Sequence, residues 1–166
     1  MNCKIEKMTE RHWREVSKIY LEGINTGRST FQTEVPKWPD WDNSHIKSCR
    51  LIACLDNRVL GWAALSPISS RCVYAGVAEV SIYIGKEYRG KGMGTALLKN
   101  LIKLSEQSGF WTLQSAVIKE NTGSIALHKK CGFRKIGIRE KLGKMNNGLW
   151  HDVVLMERRS KLVGVN

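Results

Sequence analysis

Apolar and polar positions along the chain follow two rhythms, and the first of them is the alternation that is typical of β-strands. The two apolar runs of RLIACLDNRVLGWAALSP meet at the turn DNR and predict a hairpin whose second strand ends at Pro67. Further strands are predicted in CKIEKMT, YAGVAEVSIYI, TLQSAVI, RKIGIREKL and LWHDVVLMER. Hairpins at both ends of the chain therefore enclose a middle part in which strands and helices alternate.

Apolar positions three and four residues apart predict the helices between these strands. Thr9 can cap the first helix, and the segment NTGRSTFQTEVPKWPDW that follows it is predicted to be an ordered loop, because two prolines interrupt it. A shorter helix is expected around Asp42 to Cys49, and two more in TALLKNLIKL and NTGSIALHKKCGF. The pattern predicts an α/β fold with a mixed sheet flanked by helices, in one domain over residues 1–166 with a frayed tail over 158–166.

Charge and cysteine content narrow the class of protein. The chain carries 27 Lys and Arg against 15 Asp and Glu, a formal net charge of +12, which attracts nucleic acid, anionic lipid or phosphorylated cofactors but is equally consistent with a solvated basic surface. Five scattered cysteines without a C-x-x-C pair indicate a reducing, cytoplasmic setting and no structural zinc. No apolar run approaches the roughly 20 residues that cross a bilayer, so a soluble protein without metal is expected.

The stretch RGKGMG places three alternating glycines, Gly90, Gly92 and Gly94, between a predicted strand and a predicted helix. Glycine permits positive φ and close approach of a ligand to the backbone, and the N–H groups at a helix start attract anions. Arg89 and Lys91 add positive charge beside them. The stretch therefore predicts a phosphate or pyrophosphate site, with a flexible turn as the alternative. Its spacing matches neither the dinucleotide fingerprint nor the nucleotide P-loop.

The glycine stretch also carries a resemblance to a known family. Arg89-x-x-Gly92-x-Gly94 after VSIYI resembles the acetyl-CoA pyrophosphate motif of the GNAT superfamily of N-acetyltransferases, and NTGSIALHKKCGF resembles the helix that follows it there. The resemblance implies a GNAT-like, mostly antiparallel central sheet of about seven strands flanked by about four helices. It also implies acetyl-CoA as the cosubstrate.

A second, looser set of matches resembles one branch of that superfamily, the phosphinothricin and methionine sulfoximine N-acetyltransferases. The matches are STFQTEVP, the pair Arg71 and Tyr74 ahead of VAEVSIYI, His128 in IALHKKCGF, and GLWHDV. This resemblance runs over nearly the whole chain. It implies transfer of an acetyl group to the amine of a small amino-acid-like substrate, in a homodimer whose loops can complete a neighbour's pocket.

Cofactor contacts follow from the superfamily resemblance. The strand that carries VSIYI is expected to splay from its neighbour, so that free backbone groups pair with the pantetheine arm and one N–H polarises the thioester carbonyl. Asn121 is both a good helix N-cap and the match for the family's cofactor-contacting Asn. The expected contacts are Ile82, Tyr83, Ile84, Arg89, Gly90, Lys91, Gly92, Met93, Gly94, Thr95, Asn121, Ser124 and Lys130.

Two catalytic residues are expected from the branch resemblance. An amine with a pKa of about 8 is largely protonated at neutral pH, and Glu79 matches the glutamate that removes this proton through water; a solvated or salt-bridged strand carboxylate is the alternative. His128 lies where most GNAT enzymes have a Tyr as general acid. A packed polar residue is the alternative there, because a thiol with a pKa of about 8.5 can leave unaided.

The acceptor pocket is predicted from the same branch. Arg71 can grip a carboxylate bidentately, and Trp150, His151 and Asp152 complete either the pocket or the fold. The expected substrate-binding residues are Thr30, Phe31, Thr33, Arg71, Cys72, Val73 and Tyr74. Neither nucleic acid nor a membrane is an expected partner.

Two other functions remain open from the sequence. Peptide or protein N-acetylation is possible on the same fold, because a fold does not determine the acceptor. From another class, a basic nucleic-acid-binding module would show a clustered basic face with exposed aromatic residues.

Overall fold

The fold is described from a computed structural model that covers residues 2–166. Within this range the sheet has seven strands. The strands are β1 (Lys4–Lys7), β2 (Arg50–Leu55), β3 (Arg58–Pro67), β4 (Val77–Ile84), β5 (Thr112–Ile118), β6 (Arg134–Lys144) and β7 (Trp150–Arg159). They lie in the order β1-β2-β3-β4-β5-β7-β6, and the β4–β5 pair is parallel whereas the other five are antiparallel. The predicted mixed, mostly antiparallel sheet is confirmed.

Four α-helices flank the sheet in the described residues, as predicted. They are α1 (Trp13–Asn25), α2 (Trp38–Ser44), α3 (Met93–Gln107) and α4 (Thr122–Lys130). The bounds expected for the second helix, Asp42 to Cys49, are wrong: Pro39 lies in its first turn, where the fixed φ of proline favours a helix start. In residues 2–166, no helix combines the length and the apolarity that crossing a membrane requires.

The sheet separates two hydrophobic cores, and successive residues of β3 point into different ones. Ala63 and Leu65 pack with Leu97 of α3, whereas Trp62 packs with Tyr20 of α1. Each large apolar side chain buried in this way contributes about 1.5–3 kcal/mol relative to its exposed state. Helices α3 and α4 therefore cover one face of the sheet, and α1 and α2 the other.

The parallel pair at the centre of the sheet is short. The register of β4 with β5 covers Val77–Glu79 against Thr112–Gln114, whereas β4 stays paired with β3 as far as Ile84. Beyond Glu79, β4 and β5 separate and open a gap in the sheet. The splayed strand that the superfamily resemblance implies is confirmed.

The end of the chain differs from its expected frayed state. Arg159 donates hydrogen bonds to the carbonyl oxygens of Trp111 and Val163, at 3.1 and 2.8 Å. The Ser160 hydroxyl donates to Glu106 of α3 at 2.9 Å. These bonds hold residues 160–164 near the sheet end, because Trp111 and Glu106 are acceptors far away in the sequence, whereas Val163 lies within the tail itself.

Candidate active site

A cleft of about 960 Å³ opens where β4 and β5 separate. We divide its wall into two parts. The glycine-loop half comprises Ile84, the lining residues of 89–95 and those of 121–130. The Glu79 half comprises Glu79, Tyr83 and the residues that face them: Tyr20, the lining residues of 26–32, Leu142 and Val153.

The glycine-loop half has the conformation that its sequence predicts. Gly90 and Gly92 have φ of +73° and +80°, and a β-carbon placed on either would meet no atom within 4 Å. Gly92 begins α3, and in the part of the chain described, the first turn of α3 has neither a side-chain cap nor an acidic residue. Its N–H groups are thus free to bind an anion at the positive end of the helix. This open cradle fits the pyrophosphate of acetyl-CoA.

The side chains beside the cradle divide into those that line the cleft and those that do not. Arg89 lines it, with Nε donating to the carbonyl oxygen of Ile84 at 3.0 Å. Lys91 donates to the carbonyl oxygen of Glu87 instead, and Met93 is buried in the core. Neither Lys91 nor Met93 lines the cleft, although both were expected to contact the cofactor.

The separated strand offers a second binding surface. Ile82, Tyr83 and Ile84 line the cleft, as expected. In the strand pairing of residues 2–166, their backbone groups on the β5 side have no ladder partner, because β5 pairs with β4 as far as Glu79 and not beyond. Unpaired N–H and C=O groups along an extended strand fit the amides of an extended arm such as pantetheine.

The start of α4 closes the glycine-loop half. The Asn121 side chain accepts a hydrogen bond from the Ser124 N–H at 3.3 Å, which confirms that Asn121 caps the helix. Asn121, Ser124 and Lys130 all line the cleft. Their contact with a cofactor stays a prediction that this placement allows.

Glu79 is a half-buried carboxylate at the point where the strands part. Burial raises its pKa, and a hydrogen bond from the backbone of Ala116 acts weakly in the opposite direction. No ion pair involves Glu79 in the described residues, which disfavours the salt-bridged alternative. A buried carboxylate without a cationic partner is a stronger base than one in water.

His128 is almost fully buried, and its environment indicates which ring nitrogen carries the proton. Nδ1 lies 2.7 Å from the carbonyl oxygen of Ser124, which can only accept, so Nδ1 is the donor. Burial lowers the pKa of the ring, and Nε2 is buried without a partner among residues 2–166. A neutral ring with an unprotonated Nε2 has no proton there to give, so this geometry favours the packed alternative over the general acid.

Hydroxyl groups and aromatic rings shape the Glu79 half. The Tyr83 ring stacks on Tyr20 and on Trp62, each with centroids 4.9 Å apart. Burial raises the pKa of Tyr83, and the Thr30 side chain beside its hydroxyl acts in the opposite direction. The ring also lies against Gly23, where an added β-carbon would be 2.5 Å from Cδ1 of Tyr83. Tyr20, Tyr83 and Thr30, a predicted substrate residue, thus share this part of the cleft wall.

Several predicted acceptor residues lie outside the cleft of the single chain. Thr30 and Phe31 line it, but Thr33 and residues 71–74 do not. Arg71 instead precedes a 3₁₀ turn, Cys72–Tyr74, with its guanidinium 5.5 Å from the Tyr74 ring centroid. Val73 is 61% exposed there. The structure thus does not bring the predicted carboxylate-binding arginine to Glu79 within one chain.

Within GLWHDV, residues 148–152 also lie outside the cleft, whereas Val153 lines it. Trp150 is exposed, and Nδ1 of His151 lies 3.1 Å from Glu120 Oε2. The Asp152 carboxylate accepts a hydrogen bond from the Lys141 N–H at 2.8 Å. The structure favours a role in the fold for His151 and Asp152, whereas Trp150, at 56% exposed, is not the core tryptophan that the alternative required.

Other lining residues were not predicted from the sequence. Helical spacing identifies Tyr20 as a core residue and gives no sign that it reaches a cleft. Leu142 lies within an irregular part of β6 that breaks the alternation of its side chains. The unpredicted residues include Tyr20, Arg28, Ser29, Gln32, Ser44, His45, Ser66, Ser115, Leu142 and Val153.

Comparison with known proteins agrees with this geometry. Residues 11–133 match the model of the acetyltransferase (GNAT) family. The chain is 31% identical to a phosphinothricin N-acetyltransferase of Alcaligenes faecalis, over 94% of this chain and 82% of the relative. It is 32% identical to an L-methionine sulfoximine/L-methionine sulfone acetyltransferase of Pseudomonas paraeruginosa, over 60% of this chain and 57% of the relative.

A solved structure shows the same fold with a ligand. It is a GNAT superfamily phosphinothricin acetyltransferase from Sinorhizobium meliloti in complex with AcCoA, with a TM-score of 0.88 and 26% identity. The match covers 100% of this chain and 92% of that one.

Proposed function

Because the chain belongs to the GNAT family and is an acetyl-CoA-dependent N-acetyltransferase, we propose that it acetylates the amine of a small amino-acid-like compound such as phosphinothricin or methionine sulfoximine. The observation that carries the proposal is the unpaired, half-buried Glu79 at the gap between β4 and β5. The names of two relatives support the choice of acceptor.

Acetyl-CoA supplies the activated acetyl group when it is bound. The cradle of Gly90, Gly92 and the α3 N-terminus holds its pyrophosphate, and Arg89 adds a positive charge. Backbone groups of 82–84 that have no ladder partner on the β5 side hold the extended arm, and an N–H among them stabilises negative charge on the reacting carbonyl oxygen.

Glu79 acts as the general base in this proposal. It accepts, through a water molecule, the proton that the substrate ammonium must lose before its nitrogen can attack. The pKa that burial raises brings the carboxylate closer to the pKa of the amine, which makes proton transfer easier. His128 serves as a packed residue of α4, and the thiol leaves without a proton from it.

We further propose that the protein is a homodimer and that the turn at Arg71 reaches the partner's cleft. Two observations support this arrangement. Arg71 lies outside the cleft of its own chain, and Val73 beside it is 61% exposed. Arg28, on the loop of the Glu79 half, is a second candidate for binding the acceptor carboxylate.

An acceptor panel tests the acetyl transfer. The purified protein is incubated with acetyl-CoA and with phosphinothricin, methionine sulfoximine, the standard amino acids and short peptides, and free thiol is measured. We expect release with the two amino-acid analogues and little with peptides. Release with peptides alone would move the assignment to peptide acetylation, and no release despite demonstrated CoA binding would overturn the proposal.

Mixed dimers test the role of Arg71 in the partner's cleft. Arg71→Ala and Glu79→Gln are each expected to be inactive, whereas a dimer of one with the other has one intact site. Random mixing should therefore restore roughly a quarter of the wild-type rate. If the mixture is as inactive as each variant alone, Arg71 does not act in the partner's cleft. A wild-type protein that sediments as a monomer and is fully active would also contradict this arrangement.

A further inference from the structure

A β-bulge in the edge strand β6 lies beside the Glu79 half of the cleft. The register of β6 on β7 shifts between Arg139 and Gly143, and Lys141 within the shift has φ of +43°. Bulges of this kind change the direction in which side chains point and are common next to functional sites. Here the bulge places Leu142 in the cleft wall and turns the Cα of Gly143 toward Phe31.

The contact between Gly143 and Phe31 leaves no room for a methyl group. A β-carbon on Gly143 would lie 2.5, 2.6 and 2.8 Å from Cε1, Cζ and Cδ1 of Phe31. All three atoms belong to the ring, so the whole ring would have to move. Phe31 lines the cleft, and at the start of the same loop the Thr26 hydroxyl donates to the carbonyl oxygen of Gly23 at 2.7 Å. Residues 26–32 are thus held at two points, Thr26 on Gly23 and Phe31 on Gly143.

Asp152 fixes the bulge from β7 without lining the cleft itself. Its Oδ1 accepts the Lys141 N–H at 2.8 Å, and its Oδ2 lies 3.6 Å from Nζ of Lys119. The hydrogen bond from the Lys141 backbone lowers the pKa of Asp152. The carboxylate is ionised at neutral pH, as an ordinary aspartate is, and it satisfies a backbone donor that the irregular register of β6 leaves unpaired.

We propose that Gly143 and Asp152 are positioning residues, which hold Phe31 and Leu142 as the apolar wall of the acceptor pocket. The wall packs against the aliphatic stem of the acceptor and so contributes to acceptor affinity, while the cofactor contacts lie on other elements. This inference rests on the proposed acetylation of an amino-acid-like amine and deepens it.

Alanine substitution at two glycines of the same strand tests the proposal. Gly143→Ala adds the methyl group that meets Phe31, whereas Gly137→Ala adds one that meets no atom within 4 Å. With L-methionine sulfoximine as acceptor, Gly143→Ala should raise its KM about tenfold and leave the KM of acetyl-CoA within about twofold. Gly137→Ala should change neither constant. An unchanged sulfoximine KM in Gly143→Ala would overturn the proposal.

A double variant checks that the effect passes through Phe31. If the added methyl acts by displacing the ring, Phe31→Ala with Gly143→Ala should behave as Phe31→Ala alone, because the clash is then absent. If the two substitutions instead raise the KM additively, Gly143 does not act through Phe31.

Two variants at Asp152 test the hydrogen bond to the bulge. Asp152→Asn keeps an oxygen acceptor for the Lys141 N–H and should preserve the sulfoximine KM, whereas Asp152→Ala should raise it. Equal effects of the two would exclude the hydrogen bond as the cause.

Limited trypsin digestion tests the contact between Phe31 and Gly143 without any acceptor. Arg28 lies in the loop that Phe31 anchors, so release of the ring should speed cleavage after Arg28 several-fold in Gly143→Ala but not in Gly137→Ala, as followed by mass spectrometry. Unchanged cleavage in Gly143→Ala would overturn the inference. A wild-type protein that acetylates no amine would overturn the proposed function instead. The rate of cleavage after Arg28 in Gly143→Ala relative to wild type would still decide whether Gly143 positions the loop.

Discussion

The two halves of the cleft are built in different ways. The glycine-loop half comes from two short segments, 84–95 and 121–130, and much of its binding surface is backbone: positive-φ glycines, a helix N-terminus and an unpaired strand edge. The Glu79 half brings together side chains from α1, the loop at 26–32, β4, β6 and β7. Backbone groups are the same for every residue type, whereas side chains change with each substitution. The first half is therefore suited to a constant ligand and the second to a variable one.

Electrostatics follow the same division. In the glycine-loop half, Arg89 and the dipole of α3 provide positive potential for an anion. In the Glu79 half, burial raises the pKa values of Glu79, Tyr20 and Tyr83. One half stabilises charge that a ligand brings, and the other raises the proton affinity of the protein's own groups. Substitutions should therefore separate cofactor binding from turnover and acceptor binding.

The largest difference between the effect on turnover and the effect on cofactor binding is expected at Glu79. Glu79→Gln should lower kcat/KM by about 10²–10⁴, because a positioned general base is lost, while the Kd for CoA stays unchanged. The free energy of unfolding of Glu79→Gln should not be lower than that of the wild type at neutral pH. A folded-state pKa that is raised means that ionisation of Glu79 opposes folding as the pH rises, and Gln removes that cost.

The matched control for Glu79→Gln is Glu140→Gln, an exposed carboxylate on β6 that does not line the cleft. Steady-state kinetics and calorimetric CoA binding should leave this variant at wild-type values. Full activity of Glu79→Gln would remove Glu79 from the mechanism.

The next largest effect is expected in the glycine-loop half. Gly92→Val forces a β-branched residue to φ of +80°, which costs about 1–3 kcal/mol, so CoA affinity should fall roughly 10- to 100-fold. Gly109→Val, at the other end of α3 with φ of +86°, introduces similar strain outside the cleft. It should lower Tm without changing the Kd for CoA in titration calorimetry. Equal CoA affinities in all three proteins would contradict the cradle.

A smaller effect is expected from the hydroxyl contact of the Glu79 half. Thr30→Val removes a hydroxyl that accepts from the Gln32 N–H at 3.1 Å and lies beside the Tyr83 hydroxyl, a loss of about 0.5–1.5 kcal/mol, and should raise the acceptor KM about 2- to 10-fold. The KM of acetyl-CoA should not change. Thr33→Val, outside the cleft, is the control and should leave both constants alone. If Thr33→Val has the larger effect, the assignment of the loop is wrong.

The smallest effect concerns stability and pH at His128. Its folded-state pKa is lowered by burial, so the stability it contributes is present above the unfolded pKa of about 6.5 and is lost as the pH falls. The free energy of unfolding should decrease from pH 7 toward pH 5, by at most about 1.4 kcal/mol per pH unit for this one group. Denaturant titrations of His128→Asn should show a shallower decrease. The same slope in both proteins would contradict the buried neutral ring.

Much of the fold and one half of the site could be predicted from the sequence, because those features are local. Strand alternation, helical spacing and the glycines at 90 and 92 act over a few residues, and the chain adopts the conformations they favour. Glu79 was identified from its place in the strand and from the resemblance to a known branch. The capping role of Asn121 was likewise correct, because an N-cap needs only the next turn of the same helix.

Only the tertiary structure decided the remaining features. Three features join residues that are far apart in the sequence or depend on an irregular register: the contact of Phe31 with Gly143, the bulge that Asp152 holds, and the hydrogen bond from Arg159 to Trp111. No local pattern encodes such distances, since they depend on how whole strands and helices pack. The sequence by itself therefore determined the glycine-loop half, where we propose that acetyl-CoA binds, and the packing of distant elements determined the shape of the Glu79 half, where we propose that the acceptor binds.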